Sequence, residues 1–115
     1  MIVDDEPDLR DMLNLMMTKE GYQTAIAKDG NEFIEKVQQF QPDIVTLDVM
    51  MPGITTKEIL QKLQTLSIDP KIILLTVVQF SFEEKNKLKK MGNIVECINK
   101  PFDLDILLNS IKKYI

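Results

Sequence analysis

Short apolar runs alternate with helix-period segments along the whole 115-residue chain. Met1-Ile2-Val3 reads as a short strand that stops on Asp4. Pro7 stands where a helix can begin, because its missing N–H has no intrahelical partner there anyway. Leu9, Met12, Leu13, Met16 and Met17 then recur at the spacing of one helix face. Gly21 offers the left-handed residue that ends it. Tyr22 to Ala27 predicts a second strand. Phe33, Ile34, Val37 and Phe40 mark a second helix, stopped before Pro42. Ile44 to Leu47 predicts a buried strand ending on Asp48. Thr55 and Glu58 have capping-box spacing ahead of the apolar face Ile59, Leu60, Leu63 and Leu66. Ile72 to Leu75 predicts a fourth strand, ending on Thr76. Phe82 to Met91 predicts a fourth helix, with Gly92 past its end. Ile94 to Ile98 is a fifth strand, followed by Lys100-Pro101, and Leu104, Leu107, Leu108 and Ile111 mark a fifth helix.

The pattern is strand then helix, repeated five times. Continuous apolar strands joined by helices predict an α/β fold, a five-stranded parallel sheet covered on both faces. Right-handed crossovers make it doubly wound. Such sheets bind ligands outside the carboxyl ends of their strands. Asp4 and Asp5, Asp48, Thr76 and Lys100 all follow apolar strands at that rim.

Composition narrows the chemistry. A chain of this length suits one domain, residues 1–115, with no second domain expected. The net charge of −4 gives no reason to expect direct nucleic-acid binding. A single cysteine, Cys97, excludes an internal disulfide and fits a reducing compartment. No apolar run approaches the ~20 residues that span a bilayer, and no leader pattern opens the chain. A cytoplasmic protein without a membrane partner is the expectation. Histidine is absent, which removes histidine triads, histidine-ligated zinc and phosphohistidine chemistry on this chain.

Each rim residue has a plainer reading on its own. Acidic residues after a strand often cap the next helix, as Asp5 or Glu6 could before Pro7. Thr76 could be a turn hydroxyl, and Lys100 a solvated lysine. Asp48 is a poorer cap, because its helix starts later, near Thr55. The set together is harder to explain that way. Two carboxylates 4 Å apart repel by ~4 kcal/mol at an effective dielectric near 20. A third raises the cost, and a cation offsets it. Oxygen-only ligands favour Mg²⁺, Mn²⁺ or Ca²⁺, and a cation that keeps waters and accepts a phosphate oxygen points to Mg²⁺. Lys100 adds a positive charge, Thr76 a hydroxyl donor, and Asp48 a carboxylate nucleophile for phosphoryl transfer.

These residues resemble the receiver domain of two-component response regulators, the family that includes the chemotaxis receiver. Ile2-Val3-Asp4-Asp5-Glu6 is similar to the family's opening motif, and Leu47-Asp48-Val49-Met50-Met51-Pro52-Gly53 to its phosphoacceptor motif. Leu75-Thr76 and Lys100-Pro101-Phe102 are similar to its fourth- and fifth-strand motifs. The resemblance implies a flavodoxin-like (βα)5 fold with strand order 2-1-3-4-5. It implies that Asp4, Asp5, Asp48 and the Met50 carbonyl hold Mg²⁺. It implies that Asp48 is phosphorylated, that Thr76 and Lys100 contact phosphoryl oxygens, and that the Lys100-Pro101 peptide is cis. The implied donor is a phosphohistidine on a sensor kinase or phosphotransfer protein. The phosphorylated state would alter binding to an output target that the sequence does not identify. A monomer or a weak, phosphorylation-linked dimer is expected, acting as a phosphoacceptor with at most slow self-dephosphorylation rather than as an enzyme.

Several positions depart from the family. Only three residues precede Asp4, so the first strand is expected to be short, at a cost to stability more than to chemistry. Cys97 stands where many receivers carry an aromatic switch, and Val77 is bulkier than the common alanine. Thr56 replaces a frequent glycine. Met50 and Val78, two residues after the acceptor and two after the threonine, are apolar where the family lines the path of attacking water. Slow dephosphorylation is the expectation. Phe80 and Phe82 flank the fourth helix, and core packing is expected for at least one. The alternative function is a pseudo-receiver that binds partners without taking phosphate. A flavin-binding protein would need a Ser/Thr/Gly-rich loop in place of Asp5-Glu6-Pro7-Asp8. A dehalogenase-type phosphohydrolase would need an acid at Met50.

Overall fold

The computed structural model describes residues 1–51, 53–77 and 79–115. Ten elements follow one another: β1 (Ile2–Val3), α1 (Pro7–Lys19), β2 (Ile26–Ala27), α2 (Gly30–Phe40), β3 (Ile44–Asp48), α3 (Thr56–Thr65), β4 (Lys71–Thr76), α4 (Phe82–Met91), β5 (Ile94–Asn99) and α5 (Leu104–Tyr114). All strand pairs are parallel, in the order β2-β1-β3-β4-β5. This is the doubly wound flavodoxin-like sheet expected from the sequence.

Alternation along the central strands divides the core into two layers. Val45 and Leu47 of β3, with Ile72 and Leu74 of β4, face Phe33, Val37, Ile59, Leu60, Leu63 and Leu88 of α2, α3 and α4. Ile73 and Leu75 face the other way, onto Leu13, Met17, Leu107 and Ile111 of α1 and α5. Both faces of the sheet are thereby covered, and the buried polar residues Asp4, Asp48 and Thr76 lie at the strand ends. Among the described residues, no helix is long and apolar enough to cross a membrane.

Local signals set the helix boundaries. Asp29 accepts from the Glu32 N–H to start α2, and Thr55 accepts from the Glu58 N–H to start α3. The reciprocal capping box closes instead at Ser81 and Glu84, at the start of α4. Gly21 follows α1 at φ +92°, as its position suggested. Gly92 ends α4 for a different reason. Its backbone is extended, and a Cβ there would meet Leu60 Cδ2 at 2.8 Å.

Some boundaries differ from the sequence reading. Tyr22 to Ala27 pairs as a strand only at Ile26–Ala27, because its sole neighbour β1 offers just Ile2 and Val3 in register. Met12 is 43% exposed, since α1 buries only the narrower stripe of Leu13 and Met17. Phe80 packs against the core, whereas Phe82 is 78% exposed. At β5 the ladder to β4 slips by one residue: Ile72 pairs with Ile94, but Ile73 pairs with Glu96. Val95 is the extra residue, and its carbonyl accepts from the Tyr114 hydroxyl at 3.3 Å. Pro52 and Val78, which belong to the acceptor motif and the expected water path, lie outside the described residues.

Candidate functional site

β1, β3 and β4 run parallel, so Val3, Asp48 and Thr76 bring the chain to one edge of the sheet. Asp4 follows β1 directly and is buried, as is Asp48 at the last position of β3. Thr76, the last residue of β4, is also buried, and its carbonyl accepts from the Lys100 N–H at 2.8 Å. That bond brings Lys100 to the same edge, just past β5. The Lys100-Pro101 peptide is cis.

The side chains then meet. Carboxylate oxygens of Asp4, Asp5 and Asp48 lie within 4.8 Å of one another, with Asp5 on the exposed side. Lys100 Nζ is 3.0 Å from Asp4 Oδ2 and 3.5 Å from Asp48 Oδ2. The remaining oxygens are held by backbone. The Glu6 N–H donates to Asp4 Oδ1 at 2.9 Å, and the Met50 N–H donates to Asp48 Oδ1 at 3.1 Å. The Met50 side chain is 57% exposed and takes no part, so only its backbone belongs to the site.

These contacts set the electrostatics. Burial pushes the Asp48 carboxyl up to about 6; the Met50 N–H opposes this, the Asp4 charge adds to it, Lys100 opposes it, and the Asp5 contact adds to it. Burial alone would lower the Lys100 value. The hydrogen bond to Asp4 and the charges of Asp4, Asp48 and Glu6 outweigh that, and the ammonium is held above its usual range. A buried carboxylate pair with one lysine remains short of positive charge. The donor set is oxygen only, which suits a hard divalent cation. The residues therefore fit a metal of that class.

Two participants escaped the sequence reading. Arg10 Nη1 donates to the Asp4 carbonyl at 2.9 Å, fixing the turn that carries both acids. Glu6 precedes α1 without capping it through its side chain, and instead places Oε1 3.6 Å from Lys100 Nζ. Helix period shows that Arg10 lies one turn after Glu6, but not that it reaches back to Asp4.

The Cys97 thiol is half-buried on β5, opposite Leu74, and packs against the layer formed with α3 and α4. It is a small core residue with no aromatic lever, as its type implied.

Residues 1–112 match the family model described as the response regulator receiver domain. The sporulation initiation phosphotransferase F of Bacillus subtilis strain 168 is 33% identical over 115 residues, covering 100% of this chain and 91% of the relative. The chemotaxis protein CheY4 of Vibrio cholerae superposes with a TM-score of 0.87 at 29% identity, covering 99% of this chain and 95% of that one. The response regulator protein TrrA of Thermotoga maritima, solved in complex with Mg²⁺ and BeF, gives a TM-score of 0.80 at 33% identity, covering 99% of this chain and 96% of that one.

Proposed function

The chain belongs to the response regulator receiver domain family, and from that membership we propose that Asp48 accepts a phosphoryl group from a phosphohistidine on a partner protein. The partner is a sensor histidine kinase or a phosphotransfer protein, and the phosphorylated state changes what the domain binds. One observation carries this reading. Asp48 is a buried carboxylate at a strand end, oriented by the Met50 N–H and faced by Lys100.

The site's own groups account for the transfer. A carboxyl pushed up to about 6 is still mostly ionised at pH 7, so an Asp48 oxygen can attack phosphorus. The P–O bond to Asp48 forms as the P–N bond breaks, and the electron pair of that bond returns to the histidine ring. The Met50 N–H holds Oδ1, which leaves Oδ2 on the Lys100 side as the attacking atom. Lys100 and the Thr76 hydroxyl stabilise charge on the phosphoryl oxygens. Asp4, Asp5, Asp48 and the Met50 carbonyl would hold Mg²⁺, which would supply further positive charge to the phosphoryl group. The exposed Asp5 edge leaves the pocket open to a donor from solvent. The domain is a phosphoacceptor, not a turnover catalyst.

Intact mass after incubation with a small acyl phosphate and Mg²⁺ tests this. A single phosphoryl adduct, lost in Asp48→Asn, is expected. Absence of an adduct in a protein that binds Mg²⁺ would overturn the proposal in favour of a pseudo-receiver.

A further inference from the structure

Lys100 is almost enclosed, with only 10% of its side chain exposed, so its ammonium depends on the carboxylates around it. Those within ion-pair distance are Asp4 at 3.0 Å, Asp48 at 3.5 Å and Glu6 at 3.6 Å. Two of the three belong to the set that fits a divalent cation. Both oxygens of Asp4 are already engaged, one by Lys100 and one by the Glu6 N–H. Lys100 therefore serves as the internal counter-ion of the metal-free pocket. A cation bound by Asp4 would compete with Lys100 for that carboxylate.

Glu6 is left as the remaining carboxylate. Its side chain makes no capping bond to α1, although it occupies the N-cap position. We propose that Glu6 is a positioning residue for Lys100, the partner toward which the ammonium shifts when Asp4 and Asp48 are ceded to a divalent cation. The inference rests on the metal-site reading above. Glu6 draws Lys100 off Asp4 and keeps it at the mouth of the pocket, where an incoming phosphoryl group arrives. The energetic effect of an exposed carboxylate is ordinarily small. Here it acts on an enclosed lysine, and so it alters the competition between lysine and cation for Asp4.

The test is a double-mutant cycle read as Mg²⁺ affinity by isothermal titration calorimetry, on wild type, Glu6→Gln, Lys100→Met and the double variant. Lys100→Met is expected to bind Mg²⁺ more tightly, because a competing charge is gone. Glu6→Gln is expected to weaken binding by roughly threefold or more while Lys100 is present, and to have little effect in the Lys100→Met background. An equal effect of Glu6→Gln in both backgrounds overturns the proposal, since Glu6 would then act only through its own charge. Lys100→Gln replaces Lys100→Met in the cycle if the latter does not fold. Failure of the metal-site reading looks different: Asp48→Asn and Asp4→Asn would then bind Mg²⁺ as wild type does, and both statements would fall together.

Discussion

Lys100 is bound more closely to Asp4 than to Asp48: its Nζ lies 3.0 Å from the first and 3.5 Å from the second. The lysine that would contact the phosphoryl group thus stabilises the metal-free fold through a different acid. Removing it leaves a buried Asp4 carboxylate without its cation. Lys100→Met is expected to lower the stability of the metal-free protein by about 3 kcal/mol. Urea denaturation in the presence of a chelator checks this, and an unchanged midpoint would contradict it.

Asp48 should respond in the opposite sense. Its folded value of about 6 lies above the ordinary carboxyl value of 3.8, so the folded state binds the proton more tightly. The associated stability is full below the unfolded value and is lost as pH rises through about 6. At neutral pH the ionised group costs on the order of 2–3 kcal/mol, and acidification to pH 5 recovers roughly half. Metal-free protein should therefore be more stable at pH 5 than at pH 7.5. Asp48→Asn should remove that dependence and raise stability at pH 7.5. Matched denaturation curves at the two pH values decide it.

Phosphoryl lifetime is the third expectation. The Met50 side chain is exposed and apolar, and it offers no group to orient a water. The phosphorylated protein should persist for many minutes in Mg²⁺ buffer. Met50→Asn, which introduces an amide at the same position, should shorten that by several-fold. Loss of the adduct followed by intact mass reads both, and a wild-type half-life of seconds would sink the idea.

Thr46 carries a fourth. Its side chain is buried at 4% exposure, and its hydroxyl has no hydrogen-bond partner among the described residues. A buried hydroxyl without a partner is a cost that an isosteric methyl avoids. Thr46→Val should stabilise the protein by about 1 kcal/mol, measurable as a higher urea midpoint with an unchanged slope.

The Cys97 thiol gives a fifth. Burial pushes it up, with Lys85 and Lys89 opposing and Glu96 adding to the rise. It should react with a disulfide reagent at pH 8 about tenfold more slowly than free cysteine, and unfolding in urea should abolish the difference. A rate equal to that of free cysteine would contradict the burial.

The rim acids were legible because each interrupts or ends an otherwise apolar run. Asp48 and Thr76 close strands built mostly of Ile, Val and Leu, and a polar residue at that end has no core role. Lys100 was legible through its place after β5. Glu6 and Arg10 were not, because their partners depend on how the turn from Val3 to Pro7 folds back on itself, and no periodicity encodes that path. The extent of β2 was also hidden. A strand exists only where a neighbour pairs with it, and the apolar character of Tyr22 to Ala27 does not reveal how much of β1 is there to pair. The slip at Val95 left no mark in the sequence either, since Ile94 to Ile98 reads as an unbroken strand.

That slip bears on how the protein behaves at high concentration. β5 is one edge of the sheet and β2 the other. A straight edge strand invites a strand from another molecule and so seeds aggregation. β5 is irregular at Val95, whose carbonyl is taken by the Tyr114 hydroxyl, and β2 is only two residues long. Neither edge is a long flat template on which a strand from a second molecule could pair and seed cross-β growth.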